Sequence, residues 1–415
     1  MRASRTLPDV IPIRTRSPPA REVRKLSIVY PFSPSRRLLL TWRGPAWHHE
    51  PVLLVDHFPP TIPPSLQGRL TTRLPLEIDV EPIAALVTAG IRRHTPDGAA
   101  DVEGLRSRMV GLKSWSRRQL VVVEKADDGS PDLDRAPVAW IALEDRASGR
   151  TNLQFVIDTE VPDRDALATA LLDWAVEVGG SFARHRGLES TQLSCDANEL
   201  DTDRGRLLAA AGYDMVRTWL HMRRPVTADE ASSTPAPREG TRVRPVHRHS
   251  SGLPVAQDVR TVHRMLEESF ADHFNSYRES FAEFVQRLIE SPDEAAWDHW
   301  WIAETEHEGQ WLPAGGLVAA KMPATASLGE GTYLEYLGVH RSARGHGIAK
   351  SLLRAATRDA AERGRTHVDL EVDNDSPTGA DGLYESMGWE TYERTQSWHS
   401  SAAAHPSRLL EPPTA

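Results

Sequence analysis

Tyr333-Leu-Glu-Tyr-Leu-Gly-Val339, then Arg344-Gly-His-Gly-Ile-Ala349, then Leu383-Tyr-Glu-Ser-Met-Gly-Trp389: these three pieces decide how the chain folds. The first is rich in branched and aromatic residues and reads as a strand. The second is a two-glycine turn opening an amphipathic helix, with Ile348, Leu352, Leu353 and Ala356 on one face. A further strand follows, where Val368, Leu370 and Val372 take one side and Asp369, Glu371 and Asp373 the other. Strand, glycine turn, helix and strand make an α/β pattern. The turn has the chemistry of a phosphate cradle. Gly345 and Gly347 let the main chain approach a ligand, and the amides of His346, Ile348, Ala349 and Lys350 lie at the positive end of the helix. Arg344 and Lys350 add positive charge. A bare Gly-x-Gly also suits an empty turn, but the flanking strand and helix favour the cradle.

Outward from this stretch, the chain repeats itself. From Thr241 the pattern predicts a strand, helices over 259–270 and Phe281–Ile289, and strands over 300–303 and 315–320. An earlier block starts near Leu70. In it, Leu76, Ile78 and Val80 fit a strand ahead of a helix at 83–87. Strands are expected over 120–124, 138–143 and 153–157, and a helix over 166–178. This block closes on Leu207-Leu-Ala-Ala-Ala-Gly-Tyr213, which lies over Leu383-Tyr-Glu-Ser-Met-Gly-Trp389. The spacing predicts an internal duplication; two unrelated α/β domains sharing a helix-end glycine is the alternative. The boundaries read as a Pro/Arg-rich extension over 1–68, a first domain over 69–225, a Pro/Ser/Ala linker over 226–240, a second domain over 241–399 and a tail over 400–415. Proline fixes φ and removes a donor, so the extension is expected to be irregular.

The motifs resemble the GNAT superfamily of acetyl-CoA-dependent N-acetyltransferases. The tandem arrangement, with Ser269-Phe-Ala-Asp-His273 and Ser376-Pro-Thr-Gly-Ala380, resembles mycothiol synthase and its actinobacterial relatives. The resemblance implies an α/β fold of two tandem GNAT (acyl-CoA N-acyltransferase) domains with mixed central sheets. It implies acetyl-CoA as acyl donor, no metal, and direct attack by an amine. Leu337, Gly338 and Val339 would meet the pantetheine arm, and Arg344, Gly345, His346, Gly347, Ile348, Ala349 and Lys350 the diphosphate. The Leu337 amide would face the thioester oxygen, and Tyr384 would give a proton to the departing thiolate. Two positions depart from the family pattern: Arg341 replaces a frequent proline, and Ser376 replaces a frequent asparagine that contacts the coenzyme arm. Glu335, acting through water and sharing side-chain parity with Tyr333 and Leu337, is the expected general base. Its alternative is a solvated strand-face carboxylate. Asp272, His273 and Glu371 are expected acceptor contacts.

The first domain lacks both catalytic features. Residues 158–165 offer no glycine and carry Glu160, Asp163 and Asp165, and Leu208 stands where Tyr384 belongs. This half is expected to shape or support the other. Two alternatives to a small-molecule amine acetyltransferase stand beside that reading: acetylation of a protein N-terminus or lysine, and a silent acyl-CoA sensor.

Composition narrows the class. The 415 residues exceed one compact core. A net charge of −9 argues against a nucleic-acid partner, and no apolar run is long enough for a membrane span. The single Cys195 excludes a disulfide framework and suits a cytoplasmic protein. His48, His49, His247 and His249 lack a third ligand at metal spacing.

Overall fold

The computed structural model describes residues 59–404 apart from 147–148, 234, 272–278, 290–293, 326 and 377–378. The first block holds β1 (Leu70–Arg73), α1 (Val80–Arg92), α2 (Val102–Met109), β2 (Arg117–Glu124), β3 (Ala139–Arg146) and β4 (Arg150–Ile157). It continues through α3 (Arg164–His185), β5 (Ser190–Asn198), α4 (Thr202–Ala210) and β6 (Asp214–Pro225). A short α5 (Glu230–Ser233) lies in the connection. The second block begins with β7 (Thr241–Pro245), α6 (Ala256–Ser269), α7 (Phe281–Ile289), β8 (Trp300–His307), β9 (Gln310–Met322) and β10 (Gly331–Val339). It ends with α8 (Ile348–Glu362), β11 (His367–Asp373), α9 (Ala380–Glu385) and β12 (Glu390–Ala403).

Among the described residues the strands form one sheet in the order β1-β2-β3-β4-β5-β12-β6-β11-β10-β9-β8-β7. Only β4–β5 and β10–β11 run parallel, so each half is mixed in the same way. The last strands of the blocks have traded places. β12 pairs with β5 of the first block, β6 pairs with β11 of the second, and the two traded strands pair with each other. The helices cover both faces. In the first half α3 lies over Leu143, Leu193 and Cys195, while α1 and α2 close over Val121, Val123 and Trp140. In the second half α8 and α9 pack on Leu334, Val368 and Leu370, while α6 and α7 cover Trp300, Ile302 and Val318.

Several sequence expectations need correction. Leu76 and Ile78 are exposed and not in a strand; residues Glu77–Asp79 form a 3-10 turn leading into α1. The cause is Asp79, which accepts from the Leu76 amide at 2.7 Å and pairs with Arg73 at 2.6 Å, pinning the chain into a turn after Pro75. Ordered packing starts before Leu70, since Leu66 is buried in the α3-side core and Ile62 packs on it. α3 runs past 178 through Gly179 and Gly180 to His185. A Cβ on Gly179 would stand 2.7 Å from Leu193 and 3.0 Å from Ala402, so the missing side chain serves close helix–sheet approach and not helix termination. β12 extends to Ala403. β5, with Thr191, Leu193, Cys195 and Ala197 buried in alternation, was absent from the sequence expectation.

Candidate functional site

β10 and β11 start as neighbours and then part. Their pairing covers Gly331↔His367 to Leu334↔Leu370 and stops there. β10 continues beside β9 alone, so from Glu335 onward the edge facing β11 is open. The separation coincides with a bulge: Leu334 opposes Ala319 and Tyr336 opposes Val318, leaving Glu335 as the extra residue. The bulge overturns the expected parity. Tyr336 packs among the α6-side apolar residues, while Leu337 turns to the α8 side, the face opposite Tyr336. Leu337 and Val339 line the opening, with Gly338 between them. Gly338 is buried, and a Cβ there would meet Ser269 Oγ at 2.9 Å, so α6 closes tightly on this strand.

At the end of β10, the glycine turn folds as its chemistry requires. Gly345 and Gly347 have φ of 80° and 81°, a region that side chains disfavour, and Gly345 faces open space. The first backbone bond of α8 is Ser351 N to Gly347 O at 3.0 Å, so the amides before it meet no carbonyl within the helix. Ile348 buries its side chain in the core and offers only main chain, whereas Lys350 and Arg344 are exposed at the rim. Arg344 is anchored by donating to the Ser269 carbonyl at 3.2 Å. His346 turns back, with Nδ1 donating to the Arg344 carbonyl at 2.9 Å, and its ring does not join the cleft lining.

A cleft of about 870 Å³ runs from this turn, through the gap between β10 and β11, to the strands contributed by the first block. Tyr384, on α9, lines it from the β11 side. Its ring is edge-on to Trp389 at 6.1 Å, and burial pushes its hydroxyl up to about 12, so it stays protonated at neutral pH. Ser376 also lines the cleft. Of the acidic row on β11, Asp369 is fully buried and held by Arg223 through two bonds of 2.9 and 2.7 Å. Asp373 lies 3.7 Å from Arg217 and accepts from the Asp375 amide. Glu371 is the member of the row whose side chain reaches solvent in the cleft. Its surroundings push its carboxyl upward. Desolvation by the enclosing walls is the main cause, with Asp196 and Glu393 adding to it; His221 and the Tyr333 hydroxyl, which donates at 3.4 Å, oppose it. Glu335 is exposed at the other lip.

The far wall comes from elsewhere in the chain. Arg150 and Ser194 of the first block, Trp219 on β6, and Ser397 and His399 on β12 line it. Trp219 Nε1 donates to Ser397 Oγ at 2.9 Å, which in turn donates to Asp196 at 2.6 Å. Desolvation and Arg150 hold the His399 ring below its usual value, favouring the neutral form. None of these residues carries a local sequence signal. They meet the cleft only because β6 and β12 cross between blocks. The acceptor residues Asp272 and His273 lie outside the described residues.

The first block keeps the parting strands but fills the gap. β4 and β5 pair only over Arg150↔Gln192 to Asn152↔Ser194. Arg204 of α4 then enters between them, donating to the Phe155 carbonyl at 3.0 Å and to Cys195 Sγ at 3.4 Å, with its guanidinium 4.4 Å above the Phe155 ring. A main-chain acceptor facing that gap is thus occupied by a side chain. Leu208 is fully buried in the core.

An open strand edge, a positive-φ glycine cradle and a desolvated tyrosine in one cleft suit a diphosphate-bearing thioester, so acetyl-CoA fits the residues present. Among the described residues no group of three or more His, Cys, Asp or Glu is arranged to hold a metal, and no helix is long and apolar enough to cross a membrane. What the sheet and its parting strands define is an α/β fold of GNAT type, with mixed sheet topology consistent with two tandem domains. Residues 262–389 match the acetyltransferase (GNAT) family. The chain is similar to a GCN5-related N-acetyltransferase from Sphaerobacter thermophilus, at 22% identity, 83% coverage of this chain, 98% of that one and a TM-score of 0.57. It is also similar to a tandem GNAT protein from the clavulanic acid biosynthesis pathway, at 16% identity, 81% and 99% coverage and a TM-score of 0.56. No curated protein matches the chain by sequence.

Proposed function

We propose that the chain is an acetyl-CoA-dependent N-acetyltransferase acting on a primary amine of a small molecule, by direct attack in a ternary complex in the cytoplasm. The observation that carries this reading is that Tyr384, the open β10 edge and the glycine turn line one cleft. Bound acetyl-CoA supplies the activated acyl group. The main chain of Leu337 and Val339 holds the pantetheine arm as an added strand, Ser376 lies along it, and the turn from Arg344 to Lys350 holds the diphosphate. The Leu337 amide steadies charge on the thioester oxygen. Tyr384 Oη serves the departing sulfur as proton donor.

Glu335 takes the proton of the incoming amine through water. A second reading puts that proton on Glu371, because desolvation raises its carboxyl and so places a stronger base at the same opening, oriented by the Tyr333 hydroxyl. In either case the opposite carboxylate holds the ammonium before it is deprotonated. The two domains cover 69–225 and 241–399, with Leu66 packed into the first and β12 carrying the second to Ala403, and both contribute to the far wall. The likeness to mycothiol synthase is kept as the finer family reading, without its acceptor. The test is a panel of amines read by free-thiol release. Release only with peptides would move the assignment to protein acetylation, and no release with any amine would leave an acyl-CoA sensor.

A further inference from the structure

The connection between the blocks was expected to be a spacer, yet its Arg238 lies on the cradle. A Cβ built on Gly347 would stand 3.3 Å from Arg238 Nε and 3.6 Å from its Cδ and Cζ, so the guanidinium covers the face of that glycine. Arg238 lines the cleft together with Arg344 and Lys350. The backbone around it is fixed. The Arg238 carbonyl accepts from Thr241 N at 2.9 Å, and the Gly240 carbonyl accepts from Glu306 N at 2.9 Å. Upstream, α5 packs on α8, and Glu230 pairs with Arg224, whose Nε donates to the Met387 carbonyl at 2.8 Å. The linker is therefore a strap tied down on both sides of Arg238.

The charges do not balance as they stand. A helix N-terminus carries about half a positive charge and favours acids nearby. The first turn of α8 has none, and it has Lys350 instead. Arg344 stands beside it, and Arg238 adds a third cation against Gly347. Among the described residues no carboxylate pairs with Arg238. Three cations at a positive helix end repel one another until an anion sits among them.

Resting on the coenzyme reading above, we infer that Arg238 is a coenzyme-binding residue: the linker guanidinium, resting against Gly347, meets the diphosphate beside the amides of the glycine turn. The strap joining the blocks is then part of the cofactor site of the second one. A charge-assisted bond of this kind is worth about a tenfold change in affinity or more.

The test uses the full chain with Arg238→Ala and Arg238→Glu, and calorimetry with CoA, 3′-dephospho-CoA and pantetheine. The expected result is that Arg238→Glu weakens CoA and 3′-dephospho-CoA at least tenfold and pantetheine less than twofold. The salt dependence of CoA binding becomes shallower in Arg238→Ala. The ligand-free Arg238→Ala protein melts at or above the wild-type temperature, because a repelling cation has been removed. CoA affinity within twofold of wild type in Arg238→Glu overturns the inference. So does an effect on CoA without one on 3′-dephospho-CoA, or a lowered melting temperature in Arg238→Ala. Wild-type protein that binds no CoA sinks the coenzyme reading itself, a separate outcome.

Discussion

Replacing Tyr384 with Phe removes one oxygen from the cleft and little else. The ring keeps its edge-on contact with Trp389 and its buried position, so stability is expected to change by less than about 1 kcal/mol. The size of the kinetic effect follows from the hydroxyl. Burial raises it to about 12, whereas a free thiol sits near about 8.5. Complete transfer of the proton to sulfur is then uphill by about 3.5 units, roughly 5 kcal/mol. Tyr384 therefore first donates a hydrogen bond to sulfur as negative charge grows there, and its proton crosses late, once the thioester bond has largely broken. A hydrogen bond to a charged partner contributes about 1.5–3 kcal/mol, so kcat should fall about 10- to 150-fold. CoA affinity should stay within twofold, since the bond is made only as the thioester breaks. Thiol release under saturating acetyl-CoA measures the first, and calorimetry the second. A Phe variant retaining more than half of wild-type kcat would refute the role, and so would one whose loss appears wholly in coenzyme affinity.

Other perturbations address the base and the fold. If Glu371 receives the proton, it must be ionised to act, so the acid limb of kcat/KM should lie above the ordinary carboxylate range; Glu371→Gln should abolish that limb while Glu335→Gln leaves it in place, and the reverse pattern assigns the base to Glu335. Gly179→Val should destabilise the chain by about 1–3 kcal/mol, read from the denaturant midpoint, because its side chain must enter space held by Leu193 and Ala402. Asp258 falls to about 2 because bonds from Arg244 and from the His247 amide and ring outweigh the upward push of its burial. Its lowered value means that the stabilisation is complete above about pH 4 and fades as pH drops toward 2. Asp258→Asn should therefore lower the melting temperature at pH 6 and converge with wild type near pH 2.

The glycine turn, its helix and the tyrosine motif were legible because each is local. A positive-φ glycine and a 3.6-residue apolar stripe are written in adjacent residues, and Gly345, Gly347 and α8 appear where the pattern puts them. The alternation on β11 was equally plain, but its meaning was not. Whether Asp369, Glu371 and Asp373 face a partner or a cleft depends on Arg223 and Arg217, brought there by β6. The bulge at Glu335 was invisible for a similar reason. A single added residue leaves the strand signal intact while turning Leu337 to the other face. His399, Trp219 and Arg238 required knowledge of which strands are neighbours, a property no window of sequence contains.

The traded strands also set a timetable for assembly. Ser397 meets Asp196 across 201 residues of chain, so the edge of β5 stays without its neighbour until β12 has left the ribosome. Contacts this remote close slowly and leave strand edges bare meanwhile. Cutting between β6 and β7 would take from each block the strand that the other supplies: a fragment beginning at the second block would lack β6, which separates β11 from β12, and the first would lack β12 beside β5.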